Sequence, residues 1–183
     1  MSNKEVLLSI KPKYCELIAS GKKTIEVRKT RPKIETPFKC YIYCTKEFYR
    51  KGDGYFQGKY CGKVIGEFVC DCIIPISITY SDPNNRIAQK EFPYTCLTDK
   101  EIMDYLGNGN QGYGWHISNL AIYEEPKELS EFGKECNLDC PSVHCPYWEY
   151  QRVNADEWDY DCSCNNIKPL TRPPQSWCYV NMR

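Results

Sequence analysis

The sequence carries only two histidines, and its formal charge is zero, with 24 Lys and Arg balanced by 24 Asp and Glu. No Ser, His and Asp set for nucleophilic catalysis stands out by spacing. No apolar run approaches the ~20 residues that cross a bilayer, which excludes a spanning helix. The first residues also lack the apolar core of a signal peptide, so the expected location is the cytoplasm. Without export, the thirteen cysteines read as reduced thiols or metal ligands rather than a disulfide framework, and their odd number agrees. There is no internal repeat. A chain of 183 residues allows one domain with a real core and a small addition, not two ordinary domains.

The zero charge conceals a division along the chain. Residues 1–63 hold 15 Lys and Arg against 6 Asp and Glu, and the remainder is correspondingly acidic. A basic front half can present a phosphate-attracting face, although solvated charge partly neutralised by the acidic half gives the same count.

Val6 to Ile10 is a short apolar run, and Pro12 opens a helix carrying Tyr14, Leu17 and Ile18 at helical spacing, with Gly21 as its stop. Ile25 and Val27 then alternate with Thr24, Glu26 and Arg28, the pattern of a strand with one buried and one polar face. Cys40 to Thr45 and Lys63 to Ile78 read as further strands, with Gly66 marking a bulge or close contact and Pro75 a strand end or sheet edge. Lys46 to Tyr60 reads as a loop. Thr98 and Glu101 form a capping box for a short helix ending at Gly107. Gly112 to Tyr123 returns to strand character, and Trp177 to Val180 supplies a closing strand. These elements predict an α+β fold: a small, partly closed mixed β-barrel with flanking helices.

Residues 133–166 break the pattern, with cysteines, acids and aromatics but little periodicity. They predict an insertion held by something other than an apolar core, the barrel comprising residues 1–132 and 167–183. Cys136, Cys140, His144, Cys145, Cys162 and Cys164 place six soft donors in this stretch. Four would satisfy a structural zinc ion, His144 and Cys145 being adjacent and so not both ligands. Reduced thiols in an acidic loop are the alternative, and the acidic run Asp156 to Asp161 offers a surface for a protein partner.

The segment Gly21-Lys-Lys-Thr-Ile-Glu-Val-Arg28, leaving a helix and entering a strand, resembles the G-x-K-x-x-E-x-R signature of ASCH domains. Val6-Leu-Leu-Ser-Ile-Lys-Pro, Gly62-Lys-Val-Ile-Gly-Glu-Phe and Trp115-His-Ile-Ser extend the resemblance over roughly residues 5–132. Arg172-Pro-Pro-Gln-Ser-Trp-Cys-Tyr-Val is similar to the tail of phage and bacterial members, whereas the cysteine insertion lies outside the common pattern. The resemblance implies a PUA-like fold and an RNA, modified-nucleotide or nucleoside ligand, with no organic cofactor.

The residue types suit that ligand. Glu26 and Arg28 share a strand face about 7 Å apart. Arg28 can grip phosphate or a base edge, Glu26 can accept from an exocyclic amine, and Lys23 can reach the same cleft as a phosphate contact or, if desolvated, a general base. A plain ion pair on a solvated face would contribute only ~0–1 kcal/mol. Tyr43, Trp115, His116 and Trp177 are the candidate stacking partners, each competing with a role in the core. His116 is also an acid–base candidate, with Ser118 on its face. Some relatives implied by the resemblance hydrolyse N-acylated cytidine or RNA. For such a reaction Lys23, Glu26 and Thr24 are the candidate catalytic residues, although a threonine belongs where Glu26 stands.

Overall fold

The computed structural model describes residues 4–46, 49–51, 54–56, 60–77, 92–107, 111–135 and 167–182. Their order is β1 (Glu5–Ile10), α1 (Pro12–Ala19), β2 (Ile25–Arg28), β3 (Phe38–Cys44), β4 (Tyr49–Lys51), β5 (Gly54–Phe56), β6 (Val64–Cys70) and β7 (Ile73–Ser77). After these come α2 (Phe92–Thr95), α3 (Asp99–Leu106), β8 (Gln111–His116), β9 (Ser118–Lys127), a 3-10 turn (Leu129–Glu131), β10 (Phe132–Glu135), β11 (Ile167–Pro169) and β12 (Trp177–Met182). The architecture is mixed α+β, mostly sheet with a few short helices.

The strands pair as a seven-stranded sheet, β11-β10-β12-β1-β3-β6-β9, a three-stranded sheet, β2-β8-β7, and the hairpin β4-β5. Among the described residues no ladder closes these sheets into one barrel. Two expected strands each divide between sheets. Lys63 to Ile78 breaks at Asp71 and Cys72 into β6 and β7, and Gly112 to Tyr123 breaks at Ile117 into β8 and β9. Part of the expected 46–60 loop forms the β4-β5 hairpin. The sheet also extends through β10 to Glu135, past the expected boundary at 132.

Local chemistry accounts for the ends of the elements. Pro12 occupies the first turn of α1, where its missing N–H costs nothing, and Gly21 follows at φ 72°. Thr98 accepts from the Glu101 N–H while Glu101 reaches back to the Thr98 N–H, so the capping box opens α3 as expected. At Gly66 a Cβ would stand 2.4 Å from the Ala121 carbonyl, beside a register shift in the β6-β9 pairing. Pro75 lies on β7, an edge of the three-stranded sheet, where a missing donor is tolerated.

Both faces of the large sheet are covered. Val6, Leu8, Ile10, Cys40, Ile42 and Cys44 pack with Trp115 and Ile18 on one side. Leu7, Tyr41, Tyr43, Val64, Phe132 and Val180 form a second core on the other. A polar clamp crosses three strands, as Glu67 on β6 accepts from Lys39 of β3 at 3.1 Å and from the Tyr123 hydroxyl of β9 at 2.6 Å. Partial burial raises the Glu67 carboxyl, but the bonds from Tyr123 and Lys39 outweigh it, and the net direction is downward. A depressed carboxylate stabilises the fold above its unfolded value and loses that contribution as pH falls through its folded value. Glu67→Gln is therefore expected to lower the thermal midpoint at pH 7 and to match wild type once Glu67 is protonated in both states. Melting curves taken down an acid series check this.

Candidate functional site

Alternation along β2 sends Glu26 and Arg28 to the face shared by their cross-strand partners on β8, Trp115 and Tyr113, while Ile25 and Val27 pair with His116 and Gly114 on the opposite face. Lys23, Glu26 and Arg28 are 2, 7 and 6% exposed, so they form a buried cluster rather than a solvated stripe. The Lys23 Nζ lies 3.3 Å from Glu26 Oε2, and Arg28 Nη2 lies 3.1 Å from Glu26 Oε1. One carboxylate thus stands between two cations.

The rest of the chain holds the cations in place. Lys23 Nζ donates to the carbonyls of Ile25 at 2.8 Å and Thr95 at 2.6 Å, with the Tyr14 ring centroid 5.3 Å away. Arg28 donates from Nη2 to the Ser9 carbonyl at 2.8 Å and from Nη1 to Ser176 Oγ at 3.4 Å. The Ser9 hydroxyl in turn donates to the Pro174 carbonyl at 2.6 Å, which ties the Pro-rich tail down beside the guanidinium. Sequence reasoning missed Tyr14, Ser9, Thr95 and Ser176 as members of the site. The last belongs to the Arg172-Pro-Pro-Gln-Ser-Trp tail, the one sequence signal that pointed toward it.

Three buried polar atoms here have no hydrogen-bond partner among the described residues: Glu26 Oε2, Arg28 Nε and Trp115 Nε1. All three belong to residues on the same face of the β2-β8 pair. An unsatisfied buried polar atom costs about 1–3 kcal/mol, a cost that the Lys23 ion pair at 3.3 Å offsets for Glu26 Oε2.

Of the predicted aromatics, Trp115 and Trp177 come together. Trp115 is fully buried, edge-on to Phe38 at 5.7 Å and tilted against Trp177 at 5.9 Å. The Trp177 Nε1 donates to Thr30 Oγ1 at 3.0 Å. Tyr43 stands in the core on the far side of the large sheet, away from Trp115. His116 is on the opposite face of β8 from Glu26's partner, with its Nδ1 2.6 Å from Asp71 Oδ1. Ser118 belongs to the next strand, in the other sheet, and donates to the Val69 carbonyl at 2.8 Å. Thr24 sits just before β2, its N–H on the Tyr94 carbonyl and its own carbonyl accepting from Ile117 N–H. Cys136, Cys140, His144, Cys145, Cys162 and Cys164 lie outside the described residues, as does the acidic run.

Beyond Arg28 the chain is basic and lies against aromatics. Lys29, Arg31 and Lys33 are exposed. The Lys29 Nζ is 5.4 Å from the Tyr105 ring centroid, the Arg31 guanidinium is 5.7 Å from that of Tyr113, and the Lys33 N–H donates to the Tyr179 hydroxyl at 2.7 Å. Trp177 meets Tyr179 edge-on at 5.6 Å, and Lys4 Nζ is 5.5 Å from the Tyr179 ring. No helix among the described residues is long and apolar enough to cross a membrane.

Solved structures share this fold. The crystal structure of ASCH from Zymomonas mobilis superposes with a TM-score of 0.59 at 17% identity, covering 98% of this chain and 90% of that one. Two point mutants of the Zymomonas mobilis protein superpose in the same way, with TM-scores of 0.59 and 0.58 at 17% identity. They cover 98 and 97% of this chain and 89 and 91% of theirs. No curated protein matches the chain. The family model for the ASCH domain matches residues 8–72, the stretch from β1 through the Gly21–Arg28 signature to the end of β6. The chain therefore matches the ASCH domain model over residues 8–72 and shares the overall fold of the solved ASCH structures.

Proposed function

We propose that the chain binds single-stranded RNA, or a modified nucleotide, with one base bonded by Glu26, Arg28 and Trp115 and the sugar-phosphate backbone following Lys29, Arg31 and Lys33. The observation that carries this reading is the trio of buried polar atoms on one sheet face that have no hydrogen bond among the described residues, Glu26 Oε2 keeping only its ion pair with Lys23. Glu26 Oε2 accepts and so asks for a donor, such as an exocyclic amine. Arg28 Nε and Trp115 Nε1 donate and so ask for acceptors, such as a ring nitrogen or carbonyl. A nucleobase edge carries both kinds of group side by side. The cluster holds two cations to one carboxylate, and its surplus positive charge favours an anionic ligand.

Binding suits Lys23 better than catalysis does. Its ammonium donates to two carbonyls and stands 3.3 Å from Glu26 Oε2 as an ion pair, which makes it a clamp for the carboxylate. The hydrolase reading, acting on N-acylated cytidine or RNA through Lys23, Glu26 and Thr24, has no comparable support.

Fluorescence anisotropy with a short single-stranded RNA of mixed sequence, over a series of salt concentrations, tests the proposal. Lys29→Ala and Arg31→Ala are expected to weaken binding and to lower the slope of log K against log salt by about 0.7 each. Arg28→Lys keeps a cation but loses the planar fork, and is expected to weaken binding with the slope unchanged. Equal affinity and equal slope in wild type and all three variants would reject this face as the RNA site.

A further inference from the structure

On the opposite face of β8 from Trp115, three donor groups converge. Asp71 and Cys72 lie between β6 and β7, and His116 ends β8. The His116 N–H donates to the Cys72 carbonyl at 3.1 Å, and the Cys70 thiol donates to that carbonyl at 3.4 Å, which fixes the two segments side by side. The ligand atoms of Asp71, Cys72 and His116 all lie within 4.8 Å of one another. Asp71 and Cys72 are exposed, and His116 is half-buried.

We infer that these residues form a divalent-cation site for an ion of the zinc class, with Cys72 and His116 as direct ligands. The donor set decides the ion. Thiolate sulfur, imidazole nitrogen and carboxylate oxygen are the three ligand types zinc takes, at about 2.0–2.3 Å each. Magnesium and calcium demand oxygen-rich shells that a single carboxylate does not supply. In a tetrahedral shell ligands at those lengths stand about 3.3–3.6 Å apart, so rotations of exposed side chains have to draw the present spacing of up to 4.8 Å in by about 1 Å. Asp71, already 2.6 Å from His116 Nδ1, serves as a third ligand or stays on the ring as the carboxylate that orients it. The exposed setting leaves a fourth position for water or another donor. This site is separate from the nucleotide-binding reading, and it uses none of the cysteines between 136 and 164.

The test uses the full chain, stripped with chelator under reducing conditions and titrated with zinc against a chromophoric competitor. Cys72→Ser and His116→Ala are each expected to bind one equivalent fewer than wild type, whatever the other cysteines hold. Asp71→Asn is expected to weaken that equivalent about 10- to 100-fold. Zinc should also slow iodoacetamide labelling of Cys72, read by peptide mass spectrometry, in wild type but not in His116→Ala. The same zinc stoichiometry in wild type, Cys72→Ser and His116→Ala, together with Cys72 labelling indifferent to zinc, would overturn the inference.

Discussion

Glu26→Ala is expected to lower the unfolding free energy by about 3–5 kcal/mol, because it strands two buried cations without a counter-charge. Lys23 and Arg28 flank the Glu26 carboxylate at 3.3 and 3.1 Å, and neither side chain is more than a tenth exposed. Removing the carboxylate leaves two positive charges and no negative one in a dry setting. For a chain of this size the thermal midpoint should fall by roughly 10 °C, given about 2–4 °C per kcal/mol. Lys23→Met supplies the contrast, since it leaves Glu26 and Arg28 as a balanced pair and replaces the ammonium with an apolar end of similar length. It also takes the donor from the Ile25 and Thr95 carbonyls, at about 1–3 kcal/mol each, so it is expected to fall below Glu26→Ala only by the share that unpaired charge contributes. Chemical denaturation of the two variants beside wild type checks the order, and a Glu26→Ala midpoint within experimental error of wild type would show that the three charges do not depend on one another.

This burial changes what a mutation at the site reports. A solvated Glu26–Arg28 pair would make Arg28→Ala a clean binding mutant, whereas the observed Arg28 also satisfies the Ser9 carbonyl. Arg28→Ala therefore removes stability along with any ligand contact, and Arg28→Lys is the better probe of recognition.

The strand carrying the site was legible in the sequence because its signal is local. Alternation over Ile25 to Arg28, Gly21 before it and the Thr98–Glu101 box each act within a few residues, and each is seen, although Thr24 falls outside the strand and the strand's polar face is buried. The partners of Lys23 and Arg28 were not legible, since Ser9, Thr95 and Ser176 lie 19, 72 and 148 residues from the groups they bond. Only the fold brings them in. Tyr43 shows a second limit: Tyr41, Ile42, Tyr43 and Cys44 are all buried, so apolar character reveals no preferred face. Alternation then puts Tyr43 with Tyr41 and away from Trp115. The run from Lys63 to Ile78 looked like one strand because its apolar residues continue across Asp71 and Cys72, the two positions where the chain leaves one sheet for the other.

Trp115 separates fold from recognition within one side chain. Its ring has no exposure, meets Phe38 edge-on and Trp177 at a tilt, and packs in the core beside Leu8 and Ile42. Trp115→Ala is expected to cost about 3–5 kcal/mol, the range for emptying a large aromatic from a core. Trp115→Phe keeps an aromatic body and removes the indole N–H, which has no hydrogen-bond partner among the described residues. Losing that buried, unbonded donor offsets part of the lost packing, so its cost is expected to stay below about 1.5 kcal/mol. If the indole N–H serves a bound base, Trp115→Phe weakens RNA binding although the fold survives, and the salt slope stays at its wild-type value because no charge has changed. Denaturation and anisotropy on this one variant give the two readings. Unchanged RNA affinity in a folded Trp115→Phe protein would remove the indole from the recognition site and leave it to the core alone.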